Sequence, residues 1–153
     1  MKVYTLRFTQ HLAIPRERAW DFFSSPYNLA RITPSMGFKI VSEMEESQKM
    51  YPGILIAYKI TPLFGIKMNW LTEITHIEHH RYFIDEQRFG PFALWHHQHH
   101  FEEISGGTKM TDILSYAIPY GIIGRLTHEL IVKDRILDIF NYRKQKINEL
   151  FGE

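Results

Sequence analysis

Residues 95–101 read Trp-His-His-Gln-His-His-Phe, which packs four imidazoles able to move protons or bind a metal into one short run. On a β-strand, alternate side chains fall on opposite faces. Trp95, His97, His99 and Phe101 would therefore share one face, and His96, Gln98 and His100 the other. A face that mixes two aromatics with two imidazoles is unlike a plain apolar core. It fits the wall of a cavity, a metal site or an acid–base pair.

Carboxylates stand on the runs either side of this segment. If the faces carrying Asp85, His97 and Asp112 point the same way, one wall holds Asp85, Gln87, His97, His99, Asp112 and Tyr116. The same parity adds Phe83, Phe89, Trp95, Phe101, Met110 and Leu114 as its apolar part. Polar groups set among apolar ones need hydrogen-bond partners. The bland possibility is that they satisfy one another and set the strand register; the sharper one is that they orient a ligand. Catalysis of a cyclisation or dehydration needs a base with a pKa near 7 and a donor that steadies an enolate. His97 or His99 with Asp112 and Tyr116 could fill those roles. The i, i+2 spacing of His97 and His99, with Asp85 or Asp112, also resembles a metal-ligand set. The expectation here is nevertheless no metal and no cofactor. His79, His80, His96 and His100 are expected to be solvated, at a turn and on the outer face. Ser105-Gly106-Gly107 reads as a hairpin turn and not as a nucleophile elbow.

These groups have to be held by a frame, and the hydrophobic pattern predicts one. Residues 3–14 alternate, with Tyr4, Leu6, Phe8, Leu12 and Ile14 on one face, as in a half-buried strand. Pro15 then opens a short helix whose apolar side is Ala19, Trp20 and Phe23. A second helical turn runs from Tyr27 to Ile32 and stops before Pro34. Strand follows strand after that: 38–42, 53–60, 67–77, 82–89, the histidine segment and 109–119. The short turns between the later runs predict an antiparallel meander. Pro62-Leu63-Phe64-Gly65 is a tight apolar loop, either a packed turn or a lid at a cavity mouth. From Gly121 to Phe151 the period changes. Ile123, Leu126, Leu130, Leu137, Phe140, Ile147 and Phe151 recur every three or four residues, predicting an amphipathic helix of roughly 28 residues, about 42 Å long.

Composition sets the outer bounds. A chain of 153 residues with 44% hydrophobic and 23% charged residues suits one globular domain with an ordinary core. Its formal charge of +1 gives no pull toward nucleic acid or anionic membrane. The absence of cysteine removes disulfides and thiolate chemistry and suits a reducing compartment. No apolar run approaches the ~20 residues of a membrane helix, and the alternating N-terminus has no signal-peptide core. A cytoplasmic location is expected, with no membrane insertion and no set oligomeric state. The aromatic content of 14% either fills a bulky core or lines a pocket for hydrophobic molecules.

The order of elements resembles the helix-grip fold of the SRPBCC (START/Bet v 1-like) superfamily over essentially the whole chain. It is similar in particular to bacterial members related to the polyketide cyclase/dehydrase group. The residues that carry this are Ile14-Pro15 with Ala19-Trp20-Asp21-Phe22-Phe23, then Phe83-x-Asp85-x-Gln87-x-x-Gly90-Pro91-Phe92 and Trp95-x-His97-x-His99-x-Phe101. Thr108, Asp112, Tyr116, Pro119 and Phe140-x-Tyr142-Arg143 complete the set. The resemblance implies an α+β fold: about seven antiparallel strands curved around a long C-terminal helix, with two short helices after the first strand. It further implies a cavity for a hydrophobic or amphipathic small molecule between sheet and helix. Members also include cyclases and hydrolase-activating proteins. An enzyme using a cavity His/Asp pair and a protein-interaction module acting through its outer surface therefore stand as alternatives.

Overall fold

The computed structural model describes residues 1–34, 38–61 and 66–152. Strand β1 (Tyr4–Leu12) leads into helices α1 (Arg16–Phe23) and α2 (Pro26–Arg31). Six strands follow: β2 (Lys39–Ile40), β3 (Leu55–Ile60), β4 (Met68–Glu78), β5 (Tyr82–Phe89), β6 (Leu94–Ile104) and β7 (Gly107–Ala117). They form one seven-stranded sheet in the order β1-β7-β6-β5-β4-β3-β2. Every pairing is antiparallel. This is the helix-grip arrangement that the sequence predicts. The segment 62–65, expected as a turn or lid, lies outside the described residues.

Local chemistry explains where the elements stop. Pro26 occupies the first turn of α2, where its missing N–H costs nothing. The β6–β7 hairpin turns at Gly106 and Gly107, with φ of +85° and +154°. A side chain at Gly107 would collide with the Leu12 carbonyl, so glycine there lets the hairpin lie against the end of β1. Register shifts between β4 and β5 leave one extra residue in each strand, Arg88 of β5 and Thr75 of β4, and such bulges bend and twist a sheet locally.

The C-terminal region is the long helix expected, running without a break over 121–151, with a π-helical turn set into it. It consists of α3 (Gly121–Thr127), a π-helical turn (His128–Val132) and α4 (Lys133–Phe151). A π turn adds one residue to the repeat and so changes which face points inward. Beyond it, Ile136, Phe140 and Ile147 are buried against the sheet. Ile123 and Leu126 before it and Leu130 within it are exposed at 71%, 62% and 74%, which corrects their expected place on the buried stripe. Gln10 of β1 ties α4 down by donating to the Lys144 carbonyl at 3.0 Å.

The core has two parts. At one end of the sheet Trp20 and Phe23 of α1 pack with Phe83, Phe101, Met110 and Ile147. Toward the other end Leu114, Tyr116, Ile136 and Phe140 form a second cluster, with Phe8 stacked on Phe140 at 4.1 Å. The histidine strand runs between them.

Candidate functional site

The strand register assembles the polar wall. Asp85 of β5 lies opposite His97, and His99 lies opposite Asp112 of β7. His97 and His99 are both turned inward, 4% and 5% exposed, with ring centroids 3.9 Å apart. Each imidazole reaches both carboxylates. His97 Nε2 lies 3.0 Å from Asp112 Oδ1 and its Nδ1 lies 3.5 Å from Asp85 Oδ2. His99 Nε2 donates to Asp85 Oδ2 at 2.8 Å. Its Nδ1 is 2.8 Å from Asp112 Oδ1 but misaligned, and makes no hydrogen bond.

The electrostatics of this tetrad are uneven. Burial alone would raise both carboxyls. The contacts of Asp112 with His97 and His99 outweigh it and hold that group well below the usual carboxylate range. Asp85 is also lowered, because His97, His99 and Arg143 together overcome its burial. The two imidazoles move in opposite directions. Burial and the neighbouring His99 charge lower His97, whereas for His99 the close carboxylates of Asp112 and Asp85 outweigh burial and raise it. The opposed shifts favour the neutral form of His97 and the charged form of His99, beside two carboxyls whose ionised forms are favoured.

A fifth group, Arg143, entered the sequence reading only as one of the residues carrying the resemblance and not as a site residue. Arg143 follows Phe140 by three residues and precedes Ile147 by four, so it stands in the inward stripe of α4. Its guanidinium lies 5.2 Å from the centre of the Phe140 ring, and its Nε is sealed from solvent without a hydrogen-bond partner. Burial lowers its pKa, and the charges of Asp112 and Asp85 offset this in part. Neither carboxylate comes within 4.0 Å of it. A charged residue at a core position of an amphipathic helix is the signal that could have found it. Tyr58 of β3 borders the same group, its hydroxyl pKa raised by burial and by the Asp85 charge.

Asp85, His97 and His99 offer ligand atoms within 4.8 Å of one another, close enough for a divalent ion.

Other expected wall residues have different surroundings. Trp95 is half-buried and forms an aromatic group with Trp70 at 5.0 Å, Phe92 at 4.8 Å and Tyr116 at 6.4 Å. Phe83 stacks on His99 at 4.2 Å, and with Phe101 it closes the wall against Trp20. Gln87 stands apart from the tetrad. It brackets the β5–β6 turn, accepting from the Phe92 N–H and donating to the Phe92 carbonyl. Phe89 is 64% exposed at the end of β5, which corrects its expected place on the inner wall. On the outer face His96, Gln98 and His100 form a hydrogen-bonded row ending at Glu86, half-buried and not simply solvated. His79 and His80 pack around Trp20 at 5.6 and 5.9 Å.

Tyr116 belongs to a second cluster, again missed from sequence. Its hydroxyl lies 2.8 Å from Nε2 of buried His128, whose Nδ1 faces Glu129 at 3.2 Å. The π turn is what brings His128 inward, stacked on Tyr4 at 3.5 Å. Burial, with Tyr4 and Glu129 nearby, pushes the Tyr116 hydroxyl up to about 12, so it stays protonated and acts as a donor.

No protein-family model matches the chain, and no curated protein matches it. Solved structures do. Protein CV1439 from Chromobacterium violaceum aligns with a TM-score of 0.72 at 16% identity, over 97% of this chain and 98% of that one. Major latex-like protein 151 from Panax ginseng aligns at 0.69 and 14%, over 99% of both chains. Ara h 8.0201 aligns at 0.64 and 14%, over 97% and 99%. At such identities the likeness establishes the fold, which is of the SRPBCC, Bet v 1-like type.

Proposed function

We propose that this helix-grip protein binds a hydrophobic or amphipathic small molecule between the sheet and its C-terminal helix. The observation that carries the reading is the make-up of the inner wall: a half-buried aromatic group, Trp70, Phe92 and Trp95, continuous with a small buried polar cluster. Ligand pockets are built from apolar walls with a few placed polar groups. Exposed aliphatic side chains of α3 and the π turn, Leu126 and Leu130, lie near the same end of the sheet, because His128 between them docks on Tyr116. A cytoplasmic location belongs to the same reading, in keeping with a chain free of cysteine. Native mass spectrometry after gentle purification should reveal a bound lipid-like molecule. The neutral probe N-phenyl-1-naphthylamine should quench tryptophan emission saturably, and weakly in Trp95→Leu. A protein that is reproducibly empty and does not take up the probe would overturn the reading.

A second reading is favoured by the opposed shifts of His97 and His99: a cyclase or dehydratase in which His97 takes a proton and His99 supplies one. A His97→Ala variant that binds normally but loses turnover would select it. Retained turnover would remove it.

A further inference from the structure

The strand register turns two imidazoles toward the same two carboxylates, and each ring meets them through different nitrogens. His97 Nδ1 and His99 Nε2 face Asp85 Oδ2, at 3.5 and 2.8 Å. His97 Nε2 and His99 Nδ1 face Asp112 Oδ1, at 3.0 and 2.8 Å. A neutral imidazole has one N–H and one lone pair. With the N–H of each ring toward Asp112, both lone pairs are left facing the Asp85 oxygen. A proton bridges only one nitrogen–oxygen pair there, whereas a metal ion engages all three atoms at once. Histidines that bind a metal carry this same division: one ring nitrogen on the ion, the other donating to an outer carboxylate. Arg143, the other positive group on this wall, comes within 4.0 Å of neither carboxylate and leaves their oxygens available.

We propose that Asp85 Oδ2, His97 Nδ1 and His99 Nε2 hold a divalent ion of the zinc class, with Asp112 as the outer carboxylate that orients both rings. This departs from the sequence expectation of no metal, and it does not depend on a hydrophobic ligand in the helix–sheet seam. The ion needs no separate cavity, because it sits among the atoms that bind it. Ligand atoms about 2.0–2.2 Å from a tetrahedral zinc lie about 3.3 Å from one another. The contacts of Asp85 with His99 and His97, 2.8 and 3.5 Å, bracket that spacing. One ligand atom from each of the three residues lies within 4.8 Å of the others. Binding displaces the proton between His99 Nε2 and Asp85 Oδ2 into solvent. Two imidazole nitrogens and one carboxylate suit Zn²⁺ better than Mg²⁺ or Ca²⁺, which want oxygen throughout. The Asp85 side chain keeps 16% exposure, against 5%, 7% and 10% for His97, His99 and Asp112, so the way in is on its side.

The test uses the whole chain, stripped with EDTA and titrated calorimetrically with Zn²⁺ and, separately, with Mg²⁺. One Zn²⁺ per chain should bind, with excess Mg²⁺ failing to displace it. Nitrogen NMR of the histidine side chains should place the zinc-dependent shifts at His97 Nδ1 and His99 Nε2. Asp112→Asn should weaken zinc binding by about ten- to a hundred-fold, the usual effect of losing an outer carboxylate. A variant carrying both His79→Gln and His80→Gln should bind zinc as the unaltered protein does. Failure of the unaltered protein to bind zinc overturns the proposal. Zinc bound through any other histidine, with the His97 and His99 signals unmoved, overturns it as an adventitious ion only. Displacement of the zinc by Mg²⁺ overturns the choice of metal. The NMR assignment is made on the unaltered protein, so a variant that folds poorly does not blunt the test. Uptake of a hydrophobic probe is measured without metal, so either reading can fail while the other stands.

Discussion

Replacing Asp112 by asparagine keeps the size of the side chain and removes its charge. Asp112 faces both imidazoles, at 3.0 Å from His97 Nε2 and 2.8 Å from His99 Nδ1, and is 7% exposed. Removing one partner of a buried charged set costs about 3–5 kcal/mol, because the others remain without compensation. At roughly 2–4 °C of Tm per kcal/mol for a domain of this size, Asp112→Asn should melt about 6–20 °C lower. The sign of the pH dependence follows from the two shifts. The Asp112 carboxyl is depressed on folding, so its contribution is present above its unfolded pKa of about 3.9 and is lost only as the pH falls through the much lower folded value. His99 is raised, so its contribution is complete below about 6.5 and is lost as the pH rises through the folded value. The gap between the two proteins should therefore be widest near pH 6 and narrow on the alkaline side. Urea unfolding followed by tryptophan emission at both pH values measures it, and NMR titration should show His99 falling toward or below an ordinary histidine value in the variant. A loss under about 1 kcal/mol near pH 6 would refute the coupled charged tetrad, since that is the size of an exposed pair.

Arg143→Met should leave stability unchanged or raise it by about 1–4 kcal/mol in thermal melts, because an unpaired buried cation gives way to an apolar side chain of similar length. A marked fall would mean that the guanidinium has a partner in the folded chain. Phe140→Ala removes a ring 6% exposed and stacked on Phe8, and should cost about 3–5 kcal/mol by urea unfolding. Gly107→Ala places a methyl against the Leu12 carbonyl at a backbone φ that favours glycine. It should cost about 1 kcal/mol or more, and amide exchange should rise first around Leu12 and Thr108.

Strand alternation made most of the site legible. Because side chains on a strand repeat every two residues, His97 and His99 had to share a face, and Asp85 and Asp112 followed from neighbouring strands of matching parity. Parity cannot tell where a strand end leaves the core, which is why Phe89 was misplaced and Gln87 turned out to serve the hairpin. The helical layer was read less well. A periodic apolar stripe predicts a buried face only while the repeat is regular, and the π turn at His128–Val132 breaks its phase. Leu126 and Leu130 thereby face solvent, and His128 faces Tyr116. Arg143 was visible in the sequence, but a lone basic residue in a helix rich in lysine looks like surface until Phe140 and Ile147 are seen to flank it.

The strand order has a consequence for what happens when the protein is damaged. Among the described residues, β1 has β7 on one side and no strand on the other, whereas the opposite margin is the two-residue β2. A long margin with free backbone N–H and C=O groups is a template for another chain. Here α4 covers part of it through Gln10, which reaches the Lys144 carbonyl and the Asn148 side chain. Any lesion that loosens α4 therefore uncovers the strand most able to recruit a second molecule. Variants weakened in the helical layer should leave solution as β-rich aggregates nucleated at Tyr4–Leu12.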